Sequence, residues 1–265
     1  MTKHNIDYQI FAEKLYETTL EAGRKIMAVH AKDFDVNYKE DASPVTEADE
    51  AAEAIILRDL QQIAPDIPII AEEQASSGNI PEVADIFWLV DPLDGTKEFI
   101  KKGTDFTVNI ALIENGQPTF GIVYAPALGR LFVAKDPNHA VQMDIGEGRF
   151  IGAEKPLSVR DVPAKGITAV ASKSHRDPET DAFLEKLGVT DIVSAGSSLK
   201  FCLVAAGEAD IYPRFGPTME WDTGAGHAVL NAAGGTVVNP DGSRFFYQKP
   251  EFRNGFFIAN GKVVF

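Results

Sequence analysis

Ile86-Phe87-Trp88-Leu89-Val90-Asp91-Pro92-Leu93-Asp94-Gly95-Thr96 is the stretch on which the fold turns. Five consecutive apolar residues mark a strand buried on both faces. The strand ends in acid. Proline disfavours the helical conformation at the residue before it, so Asp91 stays extended at the carboxyl end of the strand. Asp94 follows a turn, which lets the two carboxylates converge. Gly95 permits close backbone approach to a ligand, and Thr96-Lys97-Glu98-Phe99 opens a short helix with its N–H groups toward the same place. Ligands of α/β folds favour the crevice outside strand carboxyl ends. Taken alone, the stretch also reads as an acidic turn with Asp94 as a helix cap.

Three further acidic places lie outward from it. Glu72-Glu73 follows the short apolar run Ile67-Pro68-Ile69-Ile70-Ala71, whose proline indicates an edge strand or one that begins at Ile69. It is either part of the same site or a solvated turn. Asp222, in Trp221-Asp222-Thr223-Gly224-Ala225-Gly226, precedes an apolar helix closed by Gly234-Gly235, so it is either a site residue or a plain N-cap. Asp49 lies on a helix expected from Pro44 to Ile63, with Ser43 as N-cap and Glu47 in the first turn. At about 100° per residue, Val45, Ala52, Ile56, Leu60 and Ile63 all fall within about 60° of Asp49, so this carboxylate leaves the middle of the apolar face. It needs a salt bridge or a metal.

The flanking elements complete an α/β pattern. A helix is expected from about Ile6 to Val29, with a polar loop from Ala31 to Asp41. Strands are expected at Thr107–Ile113 and Pro118–Tyr124 around the hairpin signal Asn115-Gly116, and at Leu131–Ala134. The second half alternates strand (168–171), helix (178–187), strand (192–194), helix (198–206), strand (211–212), helix (223–233) and strand (236–238). This divides the chain into an N-terminal lobe, residues 1–140, holding most of the acids, and a C-terminal lobe, residues 141–265, holding Asp222 and the substrate contacts.

Composition narrows the chemistry. The chain has 265 residues and a formal charge of −14. That balance counts against a nucleic-acid polymer as partner, which wants a basic face. The single cysteine, Cys202, lies in an apolar run and reads as a small buried hydrophobe. It excludes an intramolecular disulfide. The five histidines show no metal-ligand spacing, which disfavours a zinc hydrolase. Met-Thr-Lys-His-Asn-Ile-Asp at the start has no apolar signal core, and no apolar run approaches a membrane span. The expectation is a cytoplasmic protein, with peripheral inner-membrane association and a homodimer both left open. Acids without histidine or cysteine are hard oxygen ligands, suited to Mg²⁺ or Mn²⁺. Metal ions would also reconcile an acidic protein with an anionic substrate, and metal-activated attack of water on a phosphate is the natural chemistry.

Together, Ser43-Pro44-Val45-Thr46-Glu47-Ala48-Asp49, Glu72-Glu73, Asp91-Pro92-Leu93-Asp94-Gly95-Thr96 and Trp221-Asp222 to Gly234-Gly235 resemble the lithium-sensitive, Mg²⁺-dependent phosphatases of the inositol monophosphatase superfamily. Asp91–Phe99, Gly196–Ala205 and Tyr212–Thr218 look most like its bacterial 3'(2'),5'-bisphosphate nucleotidases. The resemblance implies a layered αβαβα sandwich holding two or three Mg²⁺ ions. It implies Glu72, Asp91 and the Leu93 carbonyl at a first ion, Asp91, Asp94 and Asp222 at a second, and Asp49 with Glu72 at a third through water. Glu72, Thr96 and Asp49 would be the catalytic residues, with the Thr96 hydroxyl paired to Asp49. The cleaved phosphate would meet Gly95 and Thr96 N–H groups beside Glu72, Leu93, Asp94 and Asp222.

A nucleotide's second phosphate needs cations, for which His175, Lys200 after Gly196-Ser197-Ser198, and Arg214 are the candidates, with Ser197 beside them. Each is otherwise a surface group, and Lys39 reads as a solvated loop lysine. The activity implied is hydrolysis of adenosine 3',5'-bisphosphate or its 5'-phosphosulfate counterpart. An inositol-1-phosphate or sugar-phosphate phosphatase is the alternative, and a silent anion-binding protein the third reading. Gly224 and Asn231 depart from commoner alanine and glutamate in that family.

Overall fold

A computed structural model describes residues 6–39, 43–172 and 177–265. Helix α1 (Tyr8–His30) is capped by Asp7 and is followed by a two-strand ribbon, β1 (Asn37–Tyr38) with β2 (Pro44–Val45). Pro44 therefore belongs to a strand, and the N-cap of α2 (Glu47–Ile63) is Thr46, not Ser43. The correction has a local cause. Thr46 Oγ1 accepts from Ala48 N–H, while Asp49 reaches back to accept from the Thr46 N–H, a reciprocal arrangement Ser43 is too far upstream to make.

The chain then builds a seven-stranded sheet. Strand β3 (Ile69–Ala71) sits at its edge and leads into the short helix α3 (Glu72–Ser76); β4 (Ile86–Asp94) pairs parallel to β3 and leads into α4 (Thr96–Ile100). Antiparallel β5 (Thr107–Glu114), β6 (Gln117–Ala125), β7 (Arg130–Asp136), β8 (His139–Gly146) and β9 (Arg149–Pro156) follow in order. Asn115 and Gly116 both have positive φ, as the Asn-Gly hairpin signal requires. The hairpin β8–β9 was not anticipated: β9 is exposed along its length and lacks the apolar alternation that marks a strand. The sheet runs to Pro156, so its last strand lies beyond residue 140.

The second sheet has the order β11–β10–β12–β16–β14, from β10 (Thr168–Ser172), β11 (Asp191–Ala195), β12 (Ile211–Arg214), β14 (Thr236–Val238) and β16 (Phe257–Asn260). A small pair, β13 (Thr218–Met219) with β15 (Arg253–Asn254), leads into the site. Helices α5 (Pro178–Lys186), α6 (Leu199–Ala205) and α7 (Glu220–Ala232) connect these strands. Helix α7 begins three residues earlier than expected, which places Asp222 in its first turn and not at its cap.

Five layers result: α1 and α2, the large sheet, α6 and α7, the small sheet, and α5. Alternation along β4 explains its continuous apolar run. Trp88 and Val90 face the core under α1 and α2, and Phe87 and Leu89 face the core shared with α6 and α7. Helix α7 lies so close to β6 that a Cβ on Gly121 would stand 2.7 Å from the Ala225 carbonyl and 2.8 Å from Ala228 Cβ. Backbone cannot move aside there. Gly121→Ala should cost about 2 kcal/mol by overpacking and lower the melting temperature by several degrees. Thermal unfolding by circular dichroism checks it; an unchanged midpoint contradicts the packing described.

Candidate active site

Asp91 and Asp94 come from the carboxyl end of β4, and Asp49, Glu72 and Asp222 from the first turns of α2, α3 and α7. Asp91 lies where β4 leaves its ladder with β5, at the irregularity between Asp91 and Asp94, and its Oδ1 accepts from the Leu93 N–H at 3.0 Å. Gly95 then takes φ +95°, a left-handed conformation open to glycine, and starts α4. The Thr96 hydroxyl donates toward Asp49 Oδ1 and the Leu93 carbonyl, each at 3.1 Å. Asp49 Oδ2 accepts from the Thr46 N–H at 2.8 Å and its hydroxyl at 2.7 Å. Across the junction, Asp222 Oδ2 accepts from the Met219 N–H at 2.8 Å, and Asp94 Oδ2 from the Ser198 N–H at 2.6 Å.

Glu72, the first residue of α3, meets Lys39. Its Nζ is 2.8 Å from both Glu72 and Glu73 carboxylates, and the lysine side chain is only 11% exposed. Lys39 is therefore an interior ion-pair partner, not a solvated loop lysine. Burial works against its charge, but the two glutamates outweigh it and raise its pKa. Glu53 was missed by sequence reading. Its carboxylate accepts from Glu73 and Gln74 N–H at 2.8 and 3.1 Å and fixes the start of α3. The signal existed: Glu53 is one turn beyond Asp49 on the same apolar face.

Burial dominates the electrostatics. It pushes Asp49 up to about 6, with Glu72 adding to the rise against the Thr46 hydrogen bonds. Asp94 also rises to about 6, though Lys200 and the Ser198 N–H oppose the shift. Asp91 and Asp222 are driven well up by burial and then by neighbouring acids, Glu72 beside Asp91 and Asp94 beside Asp222. Asp49, Glu72, Glu73, Asp91, Asp94 and Asp222 thus face Lys39, Lys200 and Arg214. Among the described residues no three acids are already arranged around one point as ligands. The donors are nonetheless hard oxygens with excess negative charge, which is the chemistry that takes Mg²⁺ or Mn²⁺.

A cavity of about 670 Å³ opens beside them, lined by Glu72, Asp94, Gly95, Thr96 and Asp222 together with Ser197, Lys200, Tyr212 and Arg214. Buried Lys200 donates to the Ser197 carbonyl at 2.6 Å and lies 5.2 Å over the Tyr212 ring; burial lowers its pKa to about 8. Arg214 Nη2 donates to the Pro217 carbonyl at 3.2 Å. His175 lies outside the described residues. The structure thus gathers Asp49, Glu72, Asp91, Leu93, Asp94, Gly95, Thr96 and Asp222, with Ser197 packed against the Asp94 turn and Lys200 and Arg214 lining the same cavity.

Residues 7–260 match the inositol monophosphatase family. The chain belongs to the inositol monophosphatase family. It is 45% identical over 245 residues to the 3'(2'),5'-bisphosphate nucleotidase CysQ of Salmonella typhimurium, covering 90% of this chain and 94% of that protein. It is 43% identical over 253 residues to the protein of the same name from Buchnera aphidicola, covering 94% and 92%. The crystal structure of CysQ from Bacteroides thetaiotaomicron superposes with a TM-score of 0.80 at 36% identity, covering 97% and 99%. The αβαβα layering is that of this family.

In the metal-free protein the raised pKa of Asp94 has a definite consequence. Its ordinary value is 3.8 and its folded value about 6, so the folded protein holds a proton that the unfolded chain has released. The stability tied to that proton is full at low pH and lost as pH rises through the folded value. Asp94→Asn should therefore melt progressively higher than wild type in chelator as pH goes from about 5 to 7. Added Mg²⁺ should stabilise wild type more than the variant. A melting difference that is constant across that range contradicts the assignment.

Proposed function

We propose that the chain is a metal-dependent phosphomonoesterase that hydrolyses adenosine 3',5'-bisphosphate to AMP and phosphate, with the 5'-phosphosulfate analogue cleaved by the same cut. The observation that carries this reading is that buried acids and cations line one cavity, in a chain 45% identical to a 3'(2'),5'-bisphosphate nucleotidase. A cavity of this volume suits a nucleotide.

The residues present suit two or three Mg²⁺ ions: Glu72, Asp91 and the Leu93 carbonyl for one, Asp91, Asp94 and Asp222 for another, and Asp49 with Glu72 through water for a third. When bound, such ions lower the pKa of water and neutralise phosphate oxygens. The remaining work belongs to side chains. Thr96 donates its hydroxyl hydrogen bond to Asp49 and keeps its proton, which leaves the oxygen's lone pairs to accept a hydrogen bond from the attacking water and orient it. Gly95 and Thr96 N–H groups hold the phosphate being cleaved. Arg214 and Lys200 meet the phosphate that stays, where a guanidinium supplies two parallel hydrogen bonds; Ser197 lies beside them, and the sequence offers His175 as a further cation.

Phosphate release from a panel of substrates with Mg²⁺ tests the reading. Adenosine 3',5'-bisphosphate should exceed 3'-AMP and inositol-1-phosphate in kcat/KM by at least about tenfold, as one charge-assisted contact of ~1.4 kcal/mol or more implies. Preference for inositol-1-phosphate overturns it in favour of an inositol phosphatase, and no release from any substrate in favour of a silent binding protein. Arg214→Ala and Lys200→Ala should raise KM for the bisphosphate far more than for 3'-AMP; equal losses contradict the assignment of these cations. Thr96→Val keeps the shape and loses the hydroxyl, so kcat should fall by about 100-fold or more with KM little changed. A rise in KM alone would make Thr96 a phosphate clamp.

A further inference from the structure

Behind the acids, a line of neutral side chains is buried at the junction of the two sheets. Thr107 and Asn109 are fully buried, two residues apart on β5, and so project from the same face. Ser198, at the start of α6, stands between them. Its hydroxyl lies 2.9 Å from Thr107 Oγ1 and donates to Asn109 Oδ1 at 2.6 Å. A hydroxyl has one proton, so Thr107 must be the donor to Ser198, and the chain runs in one direction. Asn109 Nδ2 finds no hydrogen-bond partner among the described residues. An apolar trio would avoid leaving that donor unsatisfied, so the polar trio calls for an explanation.

The explanation lies one bond further on. The loop that Ser198 anchors is seated on the acid turn: Ser198 N–H donates to Asp94 Oδ2 at 2.6 Å, and Gly196 N–H donates to Asp105 Oδ2 at 3.0 Å. Ser197 Oγ lies 2.8 Å from the Asp94 carbonyl and 2.7 Å from that of Asp105. A Cβ on Gly95 would stand 2.3 Å from Ser197 Oγ, so the two turns meet at backbone distance. Ser197 itself holds φ +53°, a left-handed conformation that persists in a serine when its surroundings over-determine it.

We propose that Thr107, Ser198 and Asn109 are positioning residues that hold the 196–198 loop against β5, so that Ser198 N–H fixes the rotation of Asp94 and sets the affinity of the acid cluster for a divalent cation. The inference rests on the metal-dependent reading above. It adds residues that touch neither substrate nor metal and act through Asp94.

Mn²⁺ titration of the full chain, followed by electron paramagnetic resonance, tests it. Ser198→Ala and Thr107→Val should each weaken Mn²⁺ binding about tenfold, the usual effect of removing a group that orients a ligand. The double variant should be little worse than either, because the three groups act as one chain. Circular dichroism confirms folding at the assay temperature, and if Ser198→Ala does not fold, Thr107→Val decides. A core change under α1 and away from the loop, Val133→Ala on β7, should lower the melting temperature and leave Mn²⁺ affinity alone. Folded Ser198→Ala and Thr107→Val with wild-type affinity, beside an Asp94→Asn control that has lost it, overturn the positioning role and leave the metal reading standing. Wild type that binds no Mn²⁺, or Asp94→Asn that binds it normally, overturns both.

Discussion

Everything in this structure is arranged around one electrostatic burden: several carboxylates are buried together where the two sheets meet. Burial is the main cause that raises the pKa of Asp49 and Asp94, with Glu72 adding to both, and neighbouring acids drive Asp91 and Asp222 up as well. Such a cluster opposes folding while it is charged and empty. A divalent cation reverses that sign, so metal binding and stability become one quantity.

The scaffold eases the burden with backbone more than with side-chain cations. Asp49 and Asp222 lie in the first turns of α2 and α7, and each accepts the N–H of the residue that caps its helix. Glu72 opens α3, whose first N–H groups are already taken by Glu53. Asp94 accepts from Ser198 at the start of α6. Four acids thus stand at four helix starts, where partial positive charge favours carboxylates. Lys39 adds a full charge placed directly on Glu72 and Glu73.

Much of this was legible in the sequence because acid at the end of an apolar run is a local signal. The double-sided strand at Ile86–Val90, the Asn115-Gly116 hairpin and the alternation of the second half all concern neighbours in the chain. Asp49 was readable by helical periodicity, and Glu53, one turn on, carried the same signal. The start of α2 was misplaced because Ser43-Pro44 is a good local helix signal that a strand pairing with Asn37-Tyr38 overrides. Long-range partnerships left no local trace. Nothing near Lys39 announces glutamates more than thirty residues away, and Ser198 beside Thr107 and Asn109 is a meeting of distant segments. Strand β9 escaped because an exposed edge strand needs no apolar face.

Proton release on metal binding measures the central claim most directly. Metal displaces protons kept on Asp49 and Asp94 by burial, whose folded pKa values are about 6. Calorimetric titration with Mg²⁺ or Mn²⁺ in buffers of different ionisation enthalpy counts those protons. Release should be clear near about pH 6 and fall toward about pH 8, as the acids with values near 6 ionise beforehand. Metal binding with no proton release at the lower pH would contradict the account.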